Sequence, residues 1–184
     1  DFCTSEEDHA EDQGGWDCYF GVLPRIRRGG RAEDCVTETH VLWADVDAKN
    51  TGGKEPALWG LTNLPTIPSI IVASGHGYHG YWLLRDKVPV ERAQEAMRGL
   101  AQKVRGDSVW DAPRVLRLPG TYNHKEDPPL PVRVLFWDPS RRYRFSDFDG
   151  YIKPARPLSS SQGLANIRTE LGQLPDWLSD LVVN

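Results

Sequence analysis

The sequence predicts a mixed α+β domain whose sheet is mostly antiparallel, and two observations carry this prediction. Segments rich in β-branched and aromatic residues precede and follow a single strongly amphipathic segment; they lie at 16–23, 40–47, 69–73, 78–84, 115–118, 132–137 and 142–146. A Gly-rich turn joins two of these segments, 69–73 and 78–84, which is typical of a β-hairpin with a longer loop.

The amphipathic segment predicts a helix over 90–104. Its apolar residues recur at helical spacing and form one face: Val90, Ala93, Ala96, Met97, Leu100, Ala101 and Val104. We expect this helix to pack on the sheet and to carry no chemistry. A loop is expected at 49–56, a short helix at 57–64, and turns over most of 119–131.

The length of 184 residues fits one domain with a small appendage. We expect an acidic lead-in at 1–15, a folded core at 16–154, a linker at 155–163 and the start of a C-terminal helical segment at 164–184. The chain begins without Met and stops just after an apolar segment, which suggests a piece of a longer protein.

The composition argues against a membrane or secreted protein. No apolar run is long enough to span a bilayer, and the N-terminus carries no secretory signal. Three cysteines at irregular spacing fit reduced thiols, so we expect a cytoplasmic protein. A zinc site formed by Cys18, Cys35 and His40 is the alternative, but no C-x₂-C pair supports it.

The net charge of −4 does not by itself indicate a partner. Arginines nevertheless cluster between positions 25 and 31, and Arg114, Arg117, Lys125 and Arg133 form a second basic group. A protein can bind a polyanion through a basic groove while staying acidic overall. Ordinary solvated surface charges are the alternative, and charge alone favours that alternative.

The first segment that can carry chemistry is Asp45-Val46-Asp47, at the end of the second predicted strand. Side chains two residues apart in a strand lie on the same face, so both carboxylates point the same way. Two such carboxylates repel each other unless a cation lies between them, and Mg²⁺ or Mn²⁺ prefers oxygen ligands of this kind. A pair of ordinary turn acids is the alternative.

The second segment runs from Ser74 through Gly75 and Gly77 to His79. Glycines allow close approach of the backbone to a ligand and leave N–H groups available to phosphate. His79 begins the following strand, where it is expected to face a ligand as a cationic or hydrogen-bonding partner. A buried histidine with only structural contacts is the alternative.

The third segment extends from Arg114 to Lys125 and contains the sequence R-V-L-R-L-P-G-T-Y-N-H-K. In an extended chain Arg114 and Arg117 face opposite sides, so they need not share a partner. Arg117, Asn123 and Lys125 lie on either side of a Pro-Gly turn and can converge on phosphate or on metal-bound carboxylates. An exposed edge strand with solvated basic ends is the alternative.

Together, in this order, the three segments resemble the archaeo-eukaryotic primase superfamily, and within it the primase-polymerases of phages, plasmids and other mobile elements. The resemblance extends from about Tyr19 to Phe148. It implies an RRM-like catalytic sheet with a flanking α/β module. It also implies template-directed transfer of nucleotides from dNTPs or NTPs, with two Mg²⁺ or Mn²⁺ ions, on a single-stranded DNA template and primer.

The resemblance also implies roles for individual residues. Asp45 and Asp47 are the expected metal ligands, and a third acid upstream of the arginine pair is expected to join them. Asp107 fits the spacing of that acid better than Asp111, which is the fallback. The expected triphosphate-binding residues are Ser74, Gly75, Gly77, His79, Arg117, Asn123 and Lys125.

Template or primer contact is expected from Arg25, Arg27 and Arg28, and from Arg114. A helicase or a helical domain is an expected neighbour in the full-length protein.

Three other function classes share parts of this pattern. A rolling-circle replication nuclease uses a similar sheet but needs His-hydrophobic-His, whereas two residues separate His76 from His79. A nucleotide-sugar transferase can use D-x-D, but it leaves His79 and the Arg117 segment without a role. A nucleic-acid-binding module without catalysis is weakened because the acids needed for metal binding are present.

Overall fold

The computed structural model describes residues 15–152, so most of the expected lead-in, the linker and the C-terminal helical segment lie outside the described residues. No helix within 15–152 is long and apolar enough to cross a membrane. The described strands are β1 (Tyr19–Gly21), β2 (Glu38–Asp47), β3 (Ile70–Ala73), β4 (Gly77–Pro89), β5 (Val115–Arg117), β6 (Thr121–Asn123), β7 (Leu130–Trp137) and β8 (Arg142–Tyr143). The α-helices are α1 (Ala48–Thr51), α2 (Lys54–Thr62) and α3 (Val90–Val104), and 3-10 turns lie at Ala32–Asp34 and Phe145–Tyr151.

The strands form one main sheet and one small ribbon. The main sheet has the order β2-β4-β3-β7-β6, with β8 added beside β4, and β1 pairs with β5 in the ribbon. The pairs along the sheet path are antiparallel, as is the ribbon, and β8 runs parallel to β4. The prediction of an α+β fold with a mostly antiparallel sheet is therefore confirmed.

The helix α3 packs on β2 and covers one face of the sheet. Its apolar residues are buried, and Leu42, Ala44 and Val46 of β2 are buried as well. Truncating a fully buried side chain such as Leu100 to Ala is expected to cost about 2–5 kcal/mol. The bounds of α3 match the prediction, because a single regular apolar stripe determines which residues face the sheet.

The predicted loop at 49–56 is wrong, because most of it is helical. The Asp47 carboxylate accepts a hydrogen bond from the backbone N–H of Lys49 and so caps the start of α1; Gly52, with a φ of 88°, caps its end. The second helix then begins at Lys54, three residues earlier than predicted. The polar and Gly residues here were misleading because they form the cap and the end of a helix.

Other boundaries also differ from the prediction. β1 is shorter than the predicted 16–23, and β4 extends to Pro89, beyond the predicted 84. The segment 119–131 contains β6, which pairs with β7. The strand predicted at 142–146 is limited to Arg142–Tyr143, since a 3-10 turn follows it.

Candidate active site

A cavity of about 210 Å³ lies where the β1–β5 ribbon, β2, β4 and β6 meet. It gathers residues from all three sequence segments, and the lining consists of Tyr19, Asp45, Asp47, Ser74, His76, Gly77, His79, Val115, Leu116, Arg117, Asn123 and Lys125. Gly75, Asp107 and Asp111 are not part of this lining. The fold therefore brings together most of the residues expected to act on a nucleotide.

The register of β2 and β4 places the first two segments side by side. Asp45 pairs with His79, and Asp47 pairs with Gly77. A Cβ on Gly77 would collide with the backbone carbonyl oxygen of Val46, so this close approach requires glycine. Because paired residues share a face, the Asp45 carboxylate and the His79 ring meet, with 3.9 Å between Oδ1 and Nε2.

Burial, followed by the negative charges of Asp107 and Asp47, raises the pKa of Asp45 to about 7. Arg114 and Arg117 act in the opposite direction but do not outweigh these effects. The Asp45 carboxylate thus lies in a partly buried position beside two other acids. A divalent cation would relieve this unfavourable concentration of negative charge, so the oxygen donors fit Mg²⁺ or Mn²⁺.

The Asp47 carboxylate contacts a lysine. Lys49 Nζ lies 2.8 Å from Asp47 Oδ2, and the backbone N–H of Lys49 donates to Oδ1 at 3.0 Å. Burial alone would raise the pKa of Asp47, but the hydrogen bonds from Lys49 outweigh burial and lower it. Lys49 therefore provides positive charge at the carboxylate pair in the chain without a bound ion.

The two candidates for the third acid have different surroundings. The backbone N–H of Asp107 donates to the carbonyl oxygen of Asp45 at 2.8 Å, and Asp107 Oδ1 accepts a hydrogen bond of 2.7 Å from Asn50. Asp111 instead pairs with Arg114, whose Nε lies 2.9 Å from Asp111 Oδ1. Asp107 is thus adjacent to Asp45, whereas Asp111 is engaged by its own arginine.

The carboxylates of Asp45, Asp47 and Asp107 do not form a ready three-ligand metal site. Within residues 15–152, no three His, Cys, Asp or Glu side chains lie close enough together to hold one ion as they stand. This also applies to the alternative zinc ligands Cys18, Cys35 and His40. Three-acid coordination would require the Asp107 carboxylate, which Asn50 contacts through Oδ1, to move closer to the other two.

His79 is buried, and burial, followed by the charge of Arg117, lowers its pKa to about 4. The imidazole is therefore neutral at pH 7, and its Nδ1 lies 3.4 Å from the Tyr81 hydroxyl. Of the two roles expected from the sequence, these surroundings favour a hydrogen-bonding partner over a cation.

The Gly-rich turn is fixed by contacts with β6. The backbone N–H of Ser74 donates to the Gly77 carbonyl oxygen at 2.9 Å, and Asn123 Nδ2 donates to the Ser74 carbonyl oxygen at 2.8 Å. Gly75 has a φ of 95°, which strongly favours glycine. The turn also places His76 in the cavity lining, where its buried Nε2 has no hydrogen-bond partner within the described residues.

Two basic residues of the third segment lie at the cavity. Arg117 lines it, and its guanidinium lies over the Tyr19 ring, 5.0 Å from the ring centroid. Lys125 also lines the cavity and helps to lower the pKa of Asp47 after the effects of Lys49. Two cations thus lie near the carboxylates, as a triphosphate site requires.

The arginines expected to contact template or primer have partners within the chain. Arg25 donates to the carbonyl oxygens of Leu23 and Pro113, at 2.8 and 2.9 Å. Arg27 pairs with Asp34 at 2.6 Å. Arg28 is exposed, and Arg114 pairs with Asp111 as described above.

Sequence reasoning missed several residues at this site. Tyr19 and His76 line the cavity, and Asp17 contacts Arg117, but none of the three was assigned a role. Lys49 and Asn50 contact the carboxylates from α1. Their position directly after the Asp45–Asp47 pair was the available signal, whereas Asp17 gave none.

Comparisons with known proteins give a match in structure only. No family model and no curated protein matches the sequence. The AEP domain of the primase-polymerase (PrimPol) of cyanophage S-2L matches with a TM-score of 0.54 and 19% identity, covering 68% of this chain and 65% of that one. The catalytic domain of the primase RepB′ in complex with initiator DNA matches with a TM-score of 0.47 and 16% identity, covering 73% and 64%.

This chain spans about two thirds of the length of the cyanophage domain. The similarity to the cyanophage domain concerns the fold. For the fold, this similarity confirms the resemblance that the three sequence segments indicated. The part of the chain that this match covers therefore has a fold similar to that of the cyanophage primase-polymerase domain.

Proposed function

We propose that this chain is the catalytic core of a primase-polymerase, which joins nucleotides from dNTPs or NTPs on a single-stranded DNA template. One observation carries the proposal. The β2–β4 register places Asp45 and Asp47 against His79 and the Gly-rich turn, in a cavity that Arg117 and Lys125 also line. Acids for metal ions and cations for phosphates thus meet within one small volume on a primase fold.

Asp45 and Asp47 would hold the divalent ions, with Asp107 joining them. Bound Mg²⁺ or Mn²⁺ ions would lower the pKa of the attacking 3′-hydroxyl and offset the charge of the departing pyrophosphate. The raised pKa of Asp45 favours this role, because an ion gains most where carboxylates are crowded and partly buried.

The remaining residues would bind and orient the triphosphate. Arg117 and Lys125 supply positive charge, and the neutral His79 supplies a hydrogen bond. The buried Nε2 of His76, which has no hydrogen-bond partner within 15–152, is a further atom that a phosphate oxygen would satisfy. No protein nucleophile is needed for this reaction.

Template and primer are the expected macromolecular partners. Arg28 is the exposed member of the arginines expected to contact them. Arg25, Arg27 and Arg114 would first have to leave the partners they have within the chain. A helicase or a helical domain in the full-length protein would complement this core.

The test is incubation with an unprimed single strand, Mn²⁺ or Mg²⁺, and either NTPs or dNTPs. New oligonucleotides that disappear in the double variant Asp45→Ala, Asp47→Ala would support the proposal. The matched control is Asp86→Ala, Asp149→Ala, which removes two exposed acids that do not line the cavity. Covalent protein–DNA adducts would indicate a nuclease, and binding without any product would indicate an inert module.

A further inference from the structure

Asp17 is outside the three sequence segments, yet its carboxylate contacts residues around the cavity. Asp17 Oδ1 lies 2.7 Å from Arg117 Nη1 and accepts a hydrogen bond of 2.8 Å from the backbone N–H of His124. The Tyr19 hydroxyl donates to Oδ2 at 3.2 Å. One carboxylate thus links the β1–β5 ribbon to the turn that follows β6.

We propose that Asp17 is a positioning residue that holds Arg117 in place for the triphosphate; this inference rests on the proposed function. Arg117 is clamped between the Asp17 carboxylate and the ring of Tyr19, its partner in the β1–β5 register. The side chains of Asp17 and Arg117 are only 28% and 15% exposed, so water screens the pair incompletely.

The geometry leaves Arg117 able to bind phosphate. Arg117 contacts Asp17 through Nη1. The distance is that of an ion pair, but the geometry at Nη1 does not meet the criteria for a hydrogen bond. A guanidinium has five N–H donors in a rigid fork, so a carboxylate at Nη1 leaves the donors on Nε and Nη2 for a ligand. Because Asp17 already holds the Arg117 side chain, that side chain loses less conformational freedom when phosphate binds.

Asp17 is a fixed part of the site and not a substitute for phosphate that the nucleotide displaces. Displacing it would break the partly buried hydrogen bond from the His124 N–H as well as the Arg117 contact. Leaving such groups without partners is costly. Burial alone would raise the pKa of Asp17, but Arg117 and the His124 N–H outweigh burial and lower it. The carboxylate is therefore ionised at neutral pH.

The hydrogen bond between Asp17 and the His124 N–H also connects Asp17 to Lys125, the second cation at the cavity. Lys125 follows directly, and its backbone N–H donates to Asn123 Oδ1 at 3.1 Å. Asn123 in turn holds the Ser74 carbonyl oxygen. Asp17 thereby also contacts the backbone of the turn that carries Lys125, although we assign its main effect to Arg117.

The test compares Asp17→Asn with Asp138→Asn as a matched control. Asp138 pairs with Arg141 at similar exposure, 31% and 30%, and does not line the cavity. We expect Asp17→Asn to weaken dATP binding in the presence of Mn²⁺ about tenfold, because a displaced Arg117 no longer meets the phosphates. The KM for dNTP is expected to rise more than kcat falls, and Asp138→Asn should leave both unchanged.

A double-mutant cycle separates positioning from general stability. In an Arg117→Gln background, Asp17→Asn should cause little further loss of dATP affinity, since its effect acts through Arg117. An equal loss in both backgrounds would overturn the proposal. So would tighter dATP binding by Asp17→Asn, which would make Asp17 a competitor of phosphate, or unchanged affinity with a lower Tm, which would make it purely structural. If the wild-type chain binds no dATP and forms no product, the proposed function fails first.

Discussion

Replacing Asp45 by Asn is expected to stabilise the chain in the absence of divalent ions. Burial and, after it, the charges of Asp107 and Asp47 together raise the pKa of Asp45 from an ordinary value of 3.8 to about 7. Because the pKa is higher in the folded state than in the unfolded state, the folded state binds the proton more tightly. Stability from this group is therefore lost as the pH rises from about 4 to about 7.

The magnitude follows from the two pKa values. Each pH unit between them corresponds to about 1.4 kcal/mol, so an ionised Asp45 costs about 4 kcal/mol above pH 7. Asn has nearly the same shape but no charge, so Asp45→Asn should recover much of this free energy at pH 8 and little at pH 4. The assay is urea unfolding at both pH values, with EDTA present to remove divalent ions.

Asp47 provides a control of opposite sign. Hydrogen bonds from Lys49 lower its pKa against the effect of burial, so its ionised form contributes stability that is lost as the pH falls. Asp47→Asn should therefore destabilise the chain at pH 8. The reasoning is refuted if Asp45→Asn has the same effect at both pH values, or if both variants change stability in the same direction at pH 8.

Three further variants test the roles of single residues. Lys49→Met should raise the apparent affinity for Mn²⁺ severalfold in calorimetry, because the Lys49 ammonium occupies the Asp47 carboxylate at 2.8 Å; a lower affinity would mean that Lys49 supports the ion. Asp107→Ala should abolish primer extension while Asp111→Ala retains it, and the reverse result would make Asp111 the third ligand. His79→Ala should weaken dNTP binding more than DNA binding in fluorescence titrations, and unchanged dNTP affinity would remove His79 from the site.

Much of the fold follows from regular patterns in the sequence. The helix α3 was predicted at its observed bounds, because one apolar stripe of seven positions determines both its length and its buried face. The β3–β4 hairpin followed from a Gly-rich turn between two apolar strands. The loop predicted after Asp47 was wrong, because the polar and Gly residues that suggested it are the cap and the end of a helix.

Short strands were harder to predict, because their pairing depends on distant segments. β6 has three residues and is held by β7, while the β1–β5 ribbon joins segments about a hundred residues apart. Local composition contains no information on such partners. The turn-rich appearance of 119–131 therefore concealed a strand of the main sheet.

Some residues of the candidate site could be predicted from the sequence, and others could not. Asp45 and Asp47 were visible because alternation along a strand puts both on one face, and the Gly-rich turn indicated a ligand-binding loop. Asp17 was not visible, since its role depends on contacts with residues distant in the sequence, namely Arg117 and His124, the latter 107 positions away. The neutral state of His79 also needed the structure, because burial determines it.

The central claim is that Asp45 serves catalysis at the expense of stability. The most direct measurement is single-turnover primer extension on templates of defined sequence, comparing the wild-type chain with Asp45→Asn at pH 8 in Mn²⁺. We expect the wild type to add the nucleotide complementary to each template base, and Asp45→Asn to add none although it unfolds at higher urea concentration. Extension by Asp45→Asn at the wild-type rate would contradict the account.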